Sequence, residues 1–335
     1  MKILLLQIVF SIFYLSADAQ KVSNIRAEQR GQDIIVFYSL ETTSTCFVSL
    51  LLSQDNGATW GAPLKNISGD IGRNVTGGEK QILWKVLEEG KQLEGDQLKF
   101  KVVAIEKKPF EPDLIFAEGG TFEMGEGDDT TYHFGGNGPM HSVTLSSFYI
   151  SKYEVTQSQW LAIMGNNPSY FSGCENCPVE NVSWYEVQEF IRKLNLRTNL
   201  FYRLPTEAEW EFAGKGGIKS KGYEYSGSDD YTEVAWLHYY SYNASKMLNP
   251  VGKKKPNELG IYDMNGNVEE WCSDWLGPYG FLNEINPQGP LNGSSKILRG
   301  GCSNGSIDSW NVRRSFGPPS SHNCFSGFRL VLPVE

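Results

Sequence analysis

The residues most able to do chemistry in this chain of 335 residues are six cysteines and four histidines. Cys174-Glu175-Asn176-Cys177 is a C-x-x-C pair. No second pair and no His pair follows at zinc spacing, so it reads as a local disulfide or two free thiols before it reads as a metal or redox motif. Cys302 and Cys324 flank a long irregular stretch, Arg299 to Leu330. They are either a staple across it or isolated thiols, and geometry decides which. His133, His141, His238 and His322 show no metal-ligand spacing. No Gly-x-Ser-x-Gly elbow and no phosphate-binding loop is present.

That stretch opens on Arg299-Gly300-Gly301 and closes on Gly327-Phe328-Arg329. Between those anchors Gly, Pro, Ser and Asn dominate, the composition of a loop. An ordered loop of this length in a compact domain is usually functional. Asn304, Trp310, Arg313, Arg314, Phe316, His322 and Phe325 give it aromatic anchors among adaptable polar groups, which suits a binding surface for a protein or a glycan. The alternative is that the aromatics form the loop's own small core and the arginines pair with nearby carboxylates.

The elements that must position this loop come earlier. Residues 1–19 carry Lys2, an apolar run from Ile3 to Leu15 and a small-x-small site at Ala17-Asp18-Ala19, the pattern of a secretory signal peptide. No other stretch has the ~20 apolar residues of a membrane span. An exported chain makes disulfides plausible. The net charge of −9 argues against a nucleic-acid partner.

Residues 20–107 are β-rich. Asp33–Tyr38, Cys46–Leu52, Lys80–Val86 and Gln97–Ala104 are short runs separated by Gly, Asn and Asp, as in an immunoglobulin-like or fibronectin-like sandwich. Ser53–Trp60 fits a single Asp-box hairpin turn. Residues 108–112, with two prolines in the surrounding segment, form a linker. In residues 113–335, Thr156-x-x-Gln159, Ser183-x-x-Glu186 and Thr206-x-x-Glu209 are three capping boxes that each open a short helix. Val187, Phe190, Ile191 and Leu194 give the second an apolar face, and Gly214 ends the third. The glutamates of these boxes read most simply as caps. The class is α+β with much loop.

An ordered series of motifs resembles the formylglycine-generating enzyme (sulfatase-modifying factor) family. It comprises Gly119–Gly125, Glu154–Thr156, Pro178–Trp184, Arg203–Glu211, Pro256–Met264, Arg299-Gly300-Gly301 and Gly327-Phe328-Arg329. The resemblance covers residues 113–334 and implies a C-type-lectin-like fold with little regular structure. In active members two cysteines of the terminal loop bind copper(I) and oxidise a substrate cysteine to formylglycine; soft copper(I) prefers sulfur. Those two positions fall here on Gly305 and Trp310, the family's active-site serine on Cys302, and its usual Trp on Ser303. The resemblance also implies a calcium site at Asp263, Gly266, Val268 and Glu270, carboxylates and carbonyls of the kind hard Ca²⁺ takes. The other reading of that segment is a Gly-Asn turn with exposed acids. Glu269 stands where the family usually has Trp, and a second calcium site finds no ligand near Ala235-Trp236.

The expectation is an exported, non-catalytic binding or assembly module, a pseudoenzyme acting through the 299–330 loop. Two alternatives stand beside it. One is a copper-dependent formylglycine-generating oxidase using Cys302. The other is a variable ligand-binding protein of a diversity-generating retroelement, whose display proteins vary between RGG and GFR.

Overall fold

The computed structural model describes residues 21–61, 63–88, 98–108, 110–127, 136–236, 248–302 and 311–334. Two compact units divide the chain, Met1–Lys108 and Pro109–Glu335.

In the first unit the strands are β1 (Lys21–Arg30), β2 (Asp33–Glu41), β3 (Cys46–Ser53), β4 (Ile67–Gly69), β5 (Gly72–Val75), β6 (Gly78–Trp84) and β7 (Lys99–Glu106). They make two sheets, β1-β2-β6-β4 and β5-β3-β7. Period-two alternation turns Ile34, Val36 and Tyr38 of β2 and Val48, Leu50 and Leu52 of β3 into one core with Ile82 and Trp84. The signal segment lies outside the described residues. The Asp-box segment is a turn in which Asp55 accepts the Thr59 amide and Ser53 accepts the Gly57 amide.

The second unit is α+β with short strands. Its strands are β8 (Leu114–Ala117), β9 (Gly120–Met124), β10 (His141–Leu145) and β11 (Phe148–Ser151). Helices α1 (Gln157–Met164), α2 (Trp184–Thr198), α3 (Glu207–Gly214) and α4 (Tyr231–Val234) follow. Then come β12 (Ala235–Trp236), β13 (Asn265–Gly266), β14 (Glu269–Trp275), β15 (Glu284–Ile285), β16 (Lys296–Arg299), β17 (Arg314–Gly317), β18 (Ser326–Gly327) and β19 (Val331–Pro333). All three capping boxes close reciprocally, Thr156 with Gln159, Ser183 with Glu186 and Thr206 with Glu209. Helix α2 buries Val187, Phe190, Ile191 and Leu194, which pack with Trp160, Trp271 and Phe328.

Helix α3 departs from its sequence pattern. Every residue from Glu207 to Gly214 is buried, three glutamates included. A buried carboxylate needs a partner. Only Glu209 is the cap, and it also takes Arg203 at 2.6 Å. Glu207 and Glu211 belong to the terminal loop. The sheet that carries this loop runs β17-β16-β14-β18, so the chain enters the loop on β16, turns back on β17 and leaves through β18.

Candidate functional site

Both ends of the loop are held by buried arginines. Arg299, at the end of β16, is fully buried and donates to Glu207 at 2.9 Å, to Glu211 at 2.6 Å and to the Asn311 carbonyl at 2.6 Å. Arg314, at the start of β17, reaches Glu207 with Nε at 2.7 Å and Nη2 at 2.8 Å. Arg329 clasps Glu270 the same way, both contacts at 2.6 Å, and donates to the Ser151 and Tyr262 carbonyls. Burial alone would raise Glu211, but Arg299 and Lys215 outweigh it and hold its carboxyl below the usual range. Such pairs add little net stability, yet removing one partner strands a buried charge.

The glycines of the first anchor are placed by space and conformation. Gly300 sits at φ +90° against the Trp210 ring. Its carbonyl accepts the Gly266 amide at 2.8 Å, joining the loop to the turn before β14. At Gly266 (φ +89°) a Cβ would lie 2.2 Å from the Trp236 carbonyl, so only glycine fits.

Of the loop residues expected to bind, Asn304 and Trp310 lie outside the described residues, as does Gly305. Arg314 is buried with its guanidinium on Glu207, the pairing alternative, and faces the cavity beside α3 rather than the exposed side of the loop. Arg313, its neighbour, is exposed, as is His322, while Phe316 and Phe325 are half-buried. His322 Nε2 meets the Glu186 carboxylate at 2.8 Å, above the α2 cap. Phe325 packs on Phe171 with centroids 5.8 Å apart, and Phe171 on Tyr170 at 5.0 Å. Tyr170, 71% exposed, was invisible to periodicity because it lies in a turn, after Asn166-Asn167-Pro168. Glu269 is half-buried; burial raises its pKa, against the Ser315 hydroxyl and Arg313, which pull it down. A carboxylate thus sits beneath β17 where the family resemblance expects an indole.

Neither Cys302 nor Cys324 is in a disulfide, whereas Cys174 and Cys177 are joined. Both loop thiols are half-buried. Burial and then Glu180 push the Cys324 thiol up, away from the thiolate that copper requires. Glu180 is itself fully buried, with one oxygen on the Phe171 amide at 2.8 Å and the other unbonded, and burial pushes it up to about 7.

The four residues expected around calcium share one turn. Asp263 is buried and accepts from the Gly252 amide at 2.7 Å and from Trp236 Nε1 at 3.1 Å. Glu270 takes Trp210 Nε1 at 2.8 Å besides Arg329. Glu154 accepts Asn267 Nδ2 at 2.8 Å and the Val268 amide at 3.2 Å. Glu154, Asp263 and Glu270 set three buried carboxylates against one guanidinium, Arg329. Burial raises Glu154 well above the ordinary range, with Asp263 and Glu270 adding to it. The donor chemistry therefore fits a hard divalent cation. The oxygens as placed serve N–H donors, and no three acidic, His or Cys side chains converge on a metal position among the described residues.

Comparison with known proteins decides the family. A family model described as "Sulfatase-modifying factor enzyme 1-like domain" matches residues 99–334. The chain belongs to the sulfatase-modifying factor family. Its relatives include the chaperone protein LppX of Paenibacillus barcinonensis, 37% identical over 56% of this chain and 78% of LppX. The formylglycine-generating enzyme of Streptomyces coelicolor is 27% identical over 65% of this chain and 88% of its own length. Among solved structures, Treponema denticola variable protein 1 aligns with a TM-score of 0.59 and 31% identity, over 66% of this chain and 95% of its own. Within this family frame, the RGG and GFR anchors are ion-pair clamps. The partners of the first, Glu207 and Glu211, lie either side of the capping-box residue Glu209 on α3, and no local pattern in the sequence turns them toward Arg299. Among the described residues no helix is long and apolar enough to cross a membrane.

Proposed function

We propose that this family member is an exported, non-catalytic binding or assembly module that presents the 299–330 loop to a partner. The observation that carries the reading is the pair Gly305 and Trp310, on which the family resemblance, counted from Arg299-Gly300-Gly301, places the copper-binding cysteines of active members. Neither side chain is a copper ligand. The raised Cys324 thiol argues the same way. The relative named a chaperone supports an assembly role, and the Cys174–Cys177 disulfide suits an oxidising compartment reached through the signal segment. Arg313, Phe316, His322 and Phe325, with Tyr170 and Phe171, supply the contact face.

The test is a copper(I) titration against a chromogenic chelator. The wild-type chain should hold no more copper than a Cys302→Ser/Cys324→Ser double variant. Stoichiometric copper lost in that variant would favour the oxidase.

A second reading rests on the match to Treponema denticola variable protein 1. On it, the stretch between the anchors is a variable ligand-binding segment. A near-identical template repeat beside a reverse-transcriptase gene would support it, and a locus lacking both would remove it.

The structural part of the proposal is calcium. Asp263 and Glu270, with the Gly266 and Val268 carbonyls, would hold the ion, and its charge would offset the excess of buried carboxylates.

A further inference from the structure

A cavity of about 290 Å³ opens beside α3, lined by His141, Glu207, Asp274, Trp275, Tyr279 and Glu284, with the Gly/Pro-rich segment 277–290 as another wall. Its size suits a compact ligand. From the 299–330 loop Arg314 also lines it, with its guanidinium already on Glu207.

The charges around it fall into two groups. Glu207 and Glu211 are spent on Arg299, Arg314 and Lys215, two carboxylates on three cations. Asp274 and Glu284 are not part of that set. Asp274 is 4% exposed; its Oδ2 takes the Glu207 amide at 3.0 Å and the Ser273 hydroxyl at 2.8 Å. No hydrogen bond reaches its Oδ1, and no cation lies within ion-pair distance of it, among the described residues. The nearest cation in influence, Lys296, donates to the Ser273 carbonyl at 2.6 Å and does not line the cavity.

His141 adds a second unused acceptor. It is 6% exposed, and its Nδ1 lies 3.1 Å from the Pro139 carbonyl. A carbonyl only accepts, so Nδ1 carries a proton, and among the described residues no partner meets Nε2, the acceptor of the neutral ring. The ring packs on Tyr279 at 5.0 Å. Two nearly buried acceptors, the Glu284 carboxylate and aromatic walls share one cavity with Arg314; because that guanidinium is committed to Glu207, the need left unmet is at Asp274, for a donor with positive charge.

We propose that this cavity binds a primary ammonium group carried on a short aliphatic chain, with Asp274 as its ion-pair partner and His141 Nε2 as a second acceptor. Two sources supply that chemistry: a free alkylamine, or the lysine side chain of a polypeptide. Phe281, Leu282 and Ile285 on the adjoining segment are exposed, so the test includes both.

The experiment is calorimetry on the full chain at about pH 8.5, above the value of about 7 to which burial raises Asp274 and with the ammonium intact. The probes are cadaverine, N-acetyl-lysine methylamide and, as a neutral isostere, pentan-1-ol. Saturable one-to-one binding of an ammonium probe is expected, with none by the alcohol, weakened about tenfold or more by Asp274→Asn and less by Glu284→Gln. Tighter cadaverine points to a free amine, and tighter acetyl-lysine to a polypeptide. Equal binding of the alcohol, or no saturation by either ammonium at about 20 mM, overturns the site. The probe series on the wild-type chain decides the matter even if Asp274→Asn fails to fold.

Discussion

Arg329 grips Glu270 through two contacts of 2.6 Å, both side chains buried, and so fastens the last motif of the chain to the turn that carries Asp263 and Gly266. The same guanidinium donates to the Ser151 and Tyr262 carbonyls, tying β11 and the segment before that turn into one knot. The loop is thus hung between fixed points, with Arg314 a further one inside it.

Breaking that pair on one side should be expensive. Arg329→Met leaves Glu270 buried and uncompensated, an expected loss of about 3–5 kcal/mol in denaturant unfolding. The double variant Arg329→Met/Glu270→Met should lose less than the sum of the two single changes. Additive losses would mean that the two residues act independently.

Adjacent arginines should behave in opposite ways. Arg314→Ala removes one of the two buried guanidiniums on Glu207, Arg299 being the other, and should cost about 2–3 kcal/mol. Arg313→Ala, on an exposed residue, should stay within about 0.5 kcal/mol in thermal unfolding. Equal losses at the two positions would contradict the division between clamp and presented face.

Stability should depend on pH through Glu180 and Asp274. Each carboxyl is raised to about 7 in the folded chain, from 4.5 and 3.8, by burial first. The folded state therefore keeps protons that the unfolded state gives up, so stability falls as pH rises from the unfolded values toward 7 and levels off above it. Glu180→Gln cannot lose a proton there. Relative to wild type it should gain stability between pH 5 and pH 8, by about 2–3 kcal/mol in denaturant midpoints compared across pH. A gap independent of pH would refute the assignment.

Calcium should raise the melting temperature, and a chelator should lower it. At a hundredfold excess over Kd the gain is about 2.7 kcal/mol. Asp263→Asn should blunt the shift. A curve unmoved by about 10 mM calcium would remove the ion from this account.

Much of the fold could be read from residue order. The capping boxes named α1, α2 and α3, and β-rich runs bounded by Gly, Asn and Asp found β2 and β3, because each signal is local and is met by the backbone within a few residues. Strand β1 was missed: its Arg, Glu and Gln mask an alternation that matters only once β2 lies beside it. The site was less legible. Glu207 to Arg314 spans 107 positions, and no local pattern says that the second residue of an RR pair turns inward while the first faces water. Tyr170 and Phe325 meet through Phe171, a neighbour that only folding supplies. The cavity beside Asp274 gathers His141, Glu207 and Glu284 from separate strands and a helix.

The most direct measurement is mass spectrometry of a Cys-x-Pro-x-Arg peptide incubated with purified residues 20–335, copper(I), oxygen and reductant, beside an active formylglycine-generating enzyme. The binding-module account predicts an unchanged peptide with this chain and a converted one in the control. Conversion of the thiol to an aldehyde by this chain, abolished in Cys302→Ser, would contradict it and place Cys302 in a working oxidase.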